Sequence, residues 1–209
     1  MRLNEIERQI SEITLADMDR KPFYGNKELN DKWRSVKSDA EIVKSRLFPE
    51  LAIGINDQVS YMEVYLFKLS NLNIPIAYLE FTSNGMGWKV NIASVKESAA
   101  GSGLGYKMYV ILIKELGKTL ISDEIQSKGG AKIWYKLYKT PGITVYGWDP
   151  RAPKENRFFQ VHDYNQDGIL DGADRGMYNT FNSEPGDRIE QSDLRKASIR
   201  KLIAIKTKR

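Results

Sequence analysis

Apolar and polar residues alternate along three consecutive stretches in the first half of the chain. These stretches are rich in Val, Ile, Tyr and Phe, and they cover residues 59–69, 74–82 and 88–95. Alternation with a period of two predicts strands that bury one face. Because the connections at 70–73 and 83–87 are short enough for tight turns, we expect three consecutive antiparallel strands.

Other segments space their apolar residues at helical intervals. Helices are predicted over residues 1–20, over 27–47 as one helix or a helix pair, over 104–117, from near Ser127 onward, and over 192–209 with Ser192 as the N-cap. Two further strands are expected at 119–122 and 143–148.

The composition changes after Asp149, where Pro, Asp, Asn and Gly accumulate. We therefore divide the chain into an N-terminal helical segment (1–57), a core (58–149) and a C-terminal extension (150–209). The expected fold class is α+β, with a mixed, mostly antiparallel central sheet flanked by helices and a helical C-terminal extension.

The overall composition is that of a globular protein with a substantial core. The chain has 209 residues, of which 41% are hydrophobic and 28% are charged. It has no cysteine, which excludes thiolate catalysis and disulfides, and the single His162 leaves little room for a Ser-His-Asp triad. Since there is no apolar signal core and no apolar run long enough to span a membrane, we expect a cytoplasmic protein without a membrane partner.

The basic excess is concentrated at the end of the chain. Residues 190–209 contain seven basic and two acidic residues, a net of +5, which equals the formal charge of the whole protein. The main domain is therefore close to neutral, which argues against a broad nucleic-acid surface on it. The tail is expected either to pack one helical face on the domain or to contact nucleic acid or another anionic partner.

A glycine-rich turn follows the third predicted strand. Gly101, Gly103 and Gly105 lie within five positions at the start of the 104–117 helix. Glycine lets the backbone approach a ligand closely, and free amides at a helix N-terminus stabilise an anion. The turn is thus a candidate pyrophosphate site, although an ordinary strand-to-helix connection has the same composition.

The order of elements from Gln58 to Trp148 resembles the GCN5-related N-acetyltransferase (GNAT) superfamily. Gly103 and Gly105 match the two small positions of that family's Gln/Arg-x-x-Gly-x-Gly/Ala motif, whereas Ala100 occupies the Gln/Arg position. The resemblance implies a GNAT-like sheet and acetyl-CoA as cofactor. The residues that it implies for cofactor binding are Ser94, Val95, Gly101, Ser102, Gly103, Leu104, Gly105 and Tyr106.

The second half of this region is similar to short acetyltransferase-like proteins of bacteriophages, with Ser-Asp ending a strand and a Trp-x-x-Leu in the next helix. In many members of the GNAT superfamily a tyrosine of this helix protonates the departing CoA thiolate. Tyr135 is the counterpart when the helix is aligned on Ala131, while alignment on Trp-x-x-Leu gives Trp134, and Tyr138 lies one turn further on. The resemblance also implies direct transfer to an amine acceptor, with Glu80 as the base, or else Glu63 or Asp123.

A second motif lies at residues 163–174 and fits a calcium loop of EF-hand or dockerin type. Gly168 provides the sharp turn, and Asp stands at the twelfth position, where a bidentate Glu is the rule. The expected oxygen ligands are Asp163, Asn165, Asp167, the Ile169 carbonyl, Asp171 and Asp174. The pattern predicts Ca²⁺, with Mg²⁺ or a solvated turn as alternatives.

Two functions follow from these features. The first is an acyl-CoA-dependent N-acetyltransferase, phage-encoded and acting on an unidentified amine. The second is a non-catalytic acetyltransferase-like protein of the virion, or one that contacts a host protein, stabilised by calcium. The expected location is the cytoplasm of the host, or the virion.

Overall fold

The computed structural model describes residues 26–99, 101–123, 126–149, 152–163, 166, 170, 180–181 and 201–207. Its helices are α1 (Asn26–Val36), α2 (Leu104–Val110, continued by a π-helical turn at Ile111–Glu115) and α3 (Lys128–Tyr138). Short 3₁₀ turns occupy Glu97–Ala99 and Lys154–Asn156. None of the described helices is long and apolar enough to cross a membrane.

Nine of the strands form one sheet. The strands are β1 (Glu41–Lys44), β2 (Leu51–Asp57), β3 (Tyr61–Lys68), β4 (Ala77–Ser83), β5 (Trp88–Val95), β6 (Leu120–Ile121), β7 (Gln126–Ser127), β8 (Ile143–Trp148), β9 (Phe158–Gln160), β10 (Thr180–Phe181) and β11 (Lys201–Lys206). The large sheet has the order β1-β2-β3-β4-β5-β6-β11-β8-β9, and β7 pairs with β10 separately. Only the β5–β6 pair of the large sheet is parallel. The mixed, mostly antiparallel sheet flanked by helices is therefore confirmed.

The sheet buries a hydrophobic cluster on each face. Helices α2 and α3 cover one face, where Met108, Ile111 and Leu137 join the side chains of the strands. Helix α1 covers the other face through Leu29 and Trp33. A Cβ atom on Gly54 of β2 would lie 2.7 Å from the Trp33 ring, so only glycine allows this helix to approach the sheet so closely.

The predicted helix at 27–47 is correct only as far as Val36. Residues Glu41–Lys44 form the edge strand β1, and the next segment, Leu51–Asp57, forms β2. All residues of β2 except Asp57 are buried, because the strand is covered on both faces. Without alternation the segment carries no strand signal. The sheet therefore begins before residue 58.

The predicted tail helix at 192–209 is wrong for residues 201–206, and residues 192–200 lie outside the described residues. Residues Lys201–Lys206 form β11, which is inserted between β6 and β8. Leu202, Ile203 and Ala204 are all buried, since neighbouring strands and helices enclose the strand. Clustered apolar residues flanked by basic ones resemble an amphipathic helix in sequence, but here they belong to an interior strand.

Glu115, at the end of the π-helical turn, anchors the β1–β2 loop. Its carboxylate accepts hydrogen bonds from the Ser45 hydroxyl (2.6 Å) and from the amides of Arg46 (2.9 Å) and Leu47 (3.0 Å). Burial by itself raises the pKa of Glu115, but these donors outweigh burial and hold the pKa below its ordinary value of 4.5.

We expect Glu115→Gln to lower the free energy of unfolding by about 2 kcal/mol at neutral pH, because charge-assisted hydrogen bonds are replaced by neutral ones. A lowered folded-state pKa stabilises the fold above the unfolded-state pKa, and this stabilisation is lost as the pH falls through the folded-state value. Urea unfolding should therefore show that the difference in the free energy of unfolding between wild type and variant becomes smaller in acid. Glu41→Gln, at an exposed position of β1, removes the same charge and should change little. If the variant loses the same free energy of unfolding at neutral and at acidic pH, this account is wrong.

Candidate functional site

The parallel strands β5 and β6 pair over only two residues and then separate. Their register consists of Trp88 with Leu120 and Lys89 with Ile121. Strand β5 continues for six more residues, whereas after Ile121 the chain turns toward β11, where the Ser122 amide donates to the Leu202 carbonyl (2.8 Å). We call the gap that opens beside Val90–Val95 the split.

Backbone amides of β5 point into the split. The Lys96 amide donates to the Ile76 carbonyl (3.0 Å) and therefore points toward β4. Because N–H directions alternate along a strand, the Ser94 amide also points toward β4, and the amides of Ala93 and Val95 point the other way. Ala93 is exposed although β5 is an interior strand. Within the part of the chain that the structure describes, the split thus presents the amides of Ala93 and Val95 beside the exposed Ala93.

A β-bulge bends β5 where the split opens. Glu80 of β4 pairs with Ile92 and Phe81 pairs with Val90, so Asn91 is an extra residue without a cross-strand partner. A bulge increases the local twist and bends the strand that carries it. The extra residue lies two positions after Lys89, whose amino group lies 3.5 Å from Asp123 at the closed end of the split.

The glycine turn lies at the open end of the split. Gly101 and Gly103 have φ angles of 74° and 75°, in the left-handed region, and a Cβ on either would meet no atom within 4 Å. Glycine is therefore required there by backbone conformation and not by space. Gly103 is the N-cap of α2, so the first amides of this helix open onto the turn.

The other predicted cofactor residues surround this turn. Ser102 donates its hydroxyl to the Ala99 carbonyl. Leu104, Gly105 and Tyr106 form the first turn of α2. A Cβ on Gly105 would lie 3.3 Å from Ile133, so this glycine brings α2 close to α3. The Tyr106 hydroxyl lies 2.8 Å from the Thr140 hydroxyl, just beyond the end of α3. Ala100 lies outside the described residues.

The aromatic residues of α3 occupy different environments. Trp134 is buried and packs edge-on against Tyr109, with ring centroids 6.1 Å apart, so it belongs to the core. Tyr135 and Tyr138 are half-buried. The Lys139 amino group lies 5.5 Å from the Tyr135 ring and 5.2 Å from the Tyr138 ring. Tyr135 remains the candidate acid.

Glu63 and Glu80 are cross-strand neighbours, a relationship that the sequence does not reveal. Both are buried, and the Tyr78 hydroxyl lies 2.8 Å from Glu63 Oε1 and 3.0 Å from Glu80 Oε2. Three further groups approach Glu63: the Tyr61 hydroxyl at 3.2 Å, the Asn56 amide at 3.2 Å and the Lys32 amino group at 3.8 Å. Burial raises the pKa of Tyr78 and that of Tyr61, so both hydroxyls remain protonated donors.

The candidate base and acid lie on opposite faces of the sheet. Tyr78 belongs to the cluster under α1, and Glu80, two residues further along the same strand, shares its face. Tyr135 packs against the cluster formed by α2 and α3 on the other face. The split is a gap in the sheet itself, between these two faces. Glu80 and Tyr135 would therefore approach a molecule bound there from opposite sides.

Most of the predicted calcium loop lies outside the described residues. Of the proposed ligands only Asp163 is described, whereas Asn165, Asp167, Ile169, Asp171 and Asp174 are not. Gln166, inside the loop, has a left-handed φ of 57°, which indicates a tight turn. Within the described ranges no three His, Cys, Asp or Glu side chains come together as a metal site. Calcium binding therefore stays a prediction.

If the loop binds Ca²⁺, a chelator should lower the melting temperature, because metal that binds the folded state adds its binding free energy to folding. Calorimetry with EGTA, followed by excess Ca²⁺ or Mg²⁺, measures the effect. An Asp167→Asn/Asp171→Asn variant should melt at the same temperature with and without chelator. A wild-type transition that EGTA leaves unchanged would rule out a structural calcium site.

The chain has little detectable similarity to known proteins. No family model matches it, and no curated protein matches it. Among solved structures, it is similar to a protein from Bacteroides thetaiotaomicron described as a candidate acetyltransferase of the GNAT family, with 9% sequence identity and a TM-score of 0.34. The match covers 73% of this chain and 66% of that one. Any functional assignment therefore depends on the geometry of the split and of the glycine turn.

Proposed function

We propose that the protein binds an acyl-CoA thioester in the split and transfers its acyl group to an amine. The observation that carries this proposal is the parallel β5–β6 pair that opens after two residues and has a glycine turn at its open end. An extended chain carrying amide groups fits such a gap, because β5 offers strand-like hydrogen bonds along it. A diphosphate fits the turn, because the first amides of a helix have no partner within the helix and stabilise an anion.

Different residues of this chain would bind different parts of the acyl-CoA. Gly101, Ser102 and Gly103 would hold the diphosphate with Leu104, Gly105 and Tyr106 of the first helical turn. The Val95 amide would hold the pantetheine portion, whereas the amide of Ser94, also expected from the sequence, points toward β4 and would not take part. The Ala93 amide would join it, since it faces the same way as that of Val95. A donor from this strand would also polarise the thioester carbonyl.

In the transfer, the bond between the acceptor nitrogen and the acyl carbon forms while the carbon–sulfur bond breaks. Glu80, on the α1 face, would take the proton that the amine loses. Tyr135, on the opposite face, would protonate the departing thiolate. Proximity supplies much of the rate in a direct transfer, so no covalent enzyme intermediate is required.

Binding is tested first, without knowledge of the acceptor. Saturating CoA and acetyl-CoA should each raise the melting temperature, since a ligand that binds only the folded state stabilises it. Calorimetric titration then gives the affinity. If neither compound shifts the transition or releases heat, the proposal is wrong.

Catalysis is tested with Tyr135→Phe once an amine substrate has been found in a panel of amines, with thiol release as the assay. We expect kcat to fall by about 10²-fold while CoA affinity is kept, because general acid catalysis contributes about 10²–10⁴-fold. Tyr138→Phe removes the hydroxyl one turn away and is the matched control. If both variants retain full activity, Tyr135 is not the acid.

A binding function without transfer is the second candidate, as expected of a virion component or a protein that contacts a host partner. The engagement of Glu80 with Tyr78 in a buried network favours it, because such a carboxylate is a less available base. The core position of Trp134 in α3 also favours it. CoA binding without acyl transfer to any amine of the panel would support this function.

A further inference from the structure

Lys96 is a buried lysine directly after β5. Only 6% of its surface is exposed. Within the ranges that the structure describes, no hydrogen bond or ion pair reaches its amino group, and burial alone lowers the pKa of the ammonium. Buried lysines are rare unless they are paired, because an unpaired charge loses its hydration without compensation. Deprotonation to the neutral amine, which is the nucleophilic form, is therefore easier for Lys96 than for an exposed lysine.

The position of Lys96 links the two parts of the proposed acyl-CoA site. It follows Val95, whose amide points into the split, and consecutive Cα atoms are about 3.8 Å apart. Its carbonyl accepts from the Ala99 amide (2.8 Å), so Lys96 also starts the 3₁₀ turn that leads to the glycines. Its own amide donates a hydrogen bond to the Ile76 carbonyl, beside β4 (3.0 Å). The backbone of Lys96 is thus held at the open end of the split.

We infer that Lys96 is a modification site of this protein, and that its amino group accepts the acyl group of a thioester bound in the split. The inference rests on the proposed function. The bond between Nζ and the acyl carbon forms as the carbon–sulfur bond breaks, and the proton released by the amine passes to the thiolate. The products are N-acyl-Lys96 and free CoA. Because an amide is a poor acyl donor, the modified lysine is an end product and not a transfer intermediate.

The test uses the full-length protein incubated with acetyl-CoA at neutral pH, with peptide mass mapping over time. The exposed Lys132 and Lys136 of α3 are internal references. We expect Lys96 to be acetylated at least about tenfold faster than either, because a bound thioester acts at high effective concentration. Excess CoA should protect Lys96 but not the references. Acetic anhydride needs no binding site, so it should acetylate the exposed Lys132 and Lys136 faster than the buried Lys96.

Lys96→Arg keeps the positive charge and should lose the modification at this position while CoA still raises the melting temperature. Even if Lys96→Arg folds poorly, the peptide mass map of the wild-type protein tests the inference. If CoA binds but Lys96 is acetylated no faster than the exposed lysines, this inference is wrong and acyl-CoA binding stands. If CoA does not bind and Lys96 stays unmodified, both proposals are wrong.

Discussion

Removing residues 201–209 is expected to abolish cooperative folding. The deletion takes away β11, which pairs with six residues of β8 and two of β6. Burial of Leu202 and Ile203 contributes about 1.5–3 kcal/mol each, and the facing edges of β6 and β8 would lose their hydrogen bonds as well. The total approaches the about 5–15 kcal/mol that stabilises a typical domain. Circular dichroism and urea unfolding should show no sharp transition.

The matched control deletes only residues 208–209. It keeps the whole of β11 and also Thr207, whose amide donates to the Gly142 carbonyl (3.1 Å) and whose hydroxyl lies 2.7 Å from that of Thr144. This shorter variant should unfold like the wild type. A cooperative transition in the longer deletion would show that β6 and β8 can close the sheet without β11.

Gly103→Val is expected to weaken CoA binding by about 100-fold or more. Valine disfavours the left-handed conformation of Gly103, so the turn and the first amides of α2 should move. Hydrogen bonds to charged groups are worth about 1.5–3 kcal/mol each, and the loss of two would account for the effect. Titration calorimetry with CoA measures the affinity, and urea unfolding measures the accompanying loss of stability.

Gly117→Val is the matched control for this strain. Gly117 follows the other end of the same helical segment, has a φ of 65°, and likewise would place a Cβ in open space. The backbone penalty should be similar, about 1–2 kcal/mol, but CoA affinity should be kept. An equal loss of affinity in both variants would mean that binding reports general destabilisation and not the glycine turn.

Burial on both faces does not by itself hide a strand, because β3 and β4 are buried over most of their length and were predicted as strands. In β8, buried and half-buried residues alternate from Ile143 to Trp148, and this strand was predicted. Its neighbour β11 has three consecutive buried residues and was predicted as a helix. Strand β2 is also buried almost throughout and was not predicted, and it lacks the Tyr and Phe residues that mark β3 and β4 as strands. Because periodicity reports the contrast between two faces, it is lost where both are covered, and such a strand has to be recognised from its residue types.

The candidate site was predictable where backbone conformation requires a residue type. Glycine is needed at Gly101 and Gly103, so the turn was visible in the sequence. The environment of Lys96 was not, because a lysine between a strand and a turn usually lies on the surface. Glu63 and Glu80 could be named separately, but their contact depends on the β3–β4 register, which the intervening turn determines.

The long separation in sequence between β6 and β11 also determines when the sheet can form. Leu202 donates its amide to the Ser122 hydroxyl (2.8 Å), a contact between residues 80 positions apart. Contacts so distant in sequence carry a high loop-closure entropy and slow folding. On the ribosome, β1 to β6 emerge well before the strand that joins β6 to β8. The sheet therefore closes only after β11 has been synthesised, and until then the facing edges of β6 and β8 lack the strand that pairs with both.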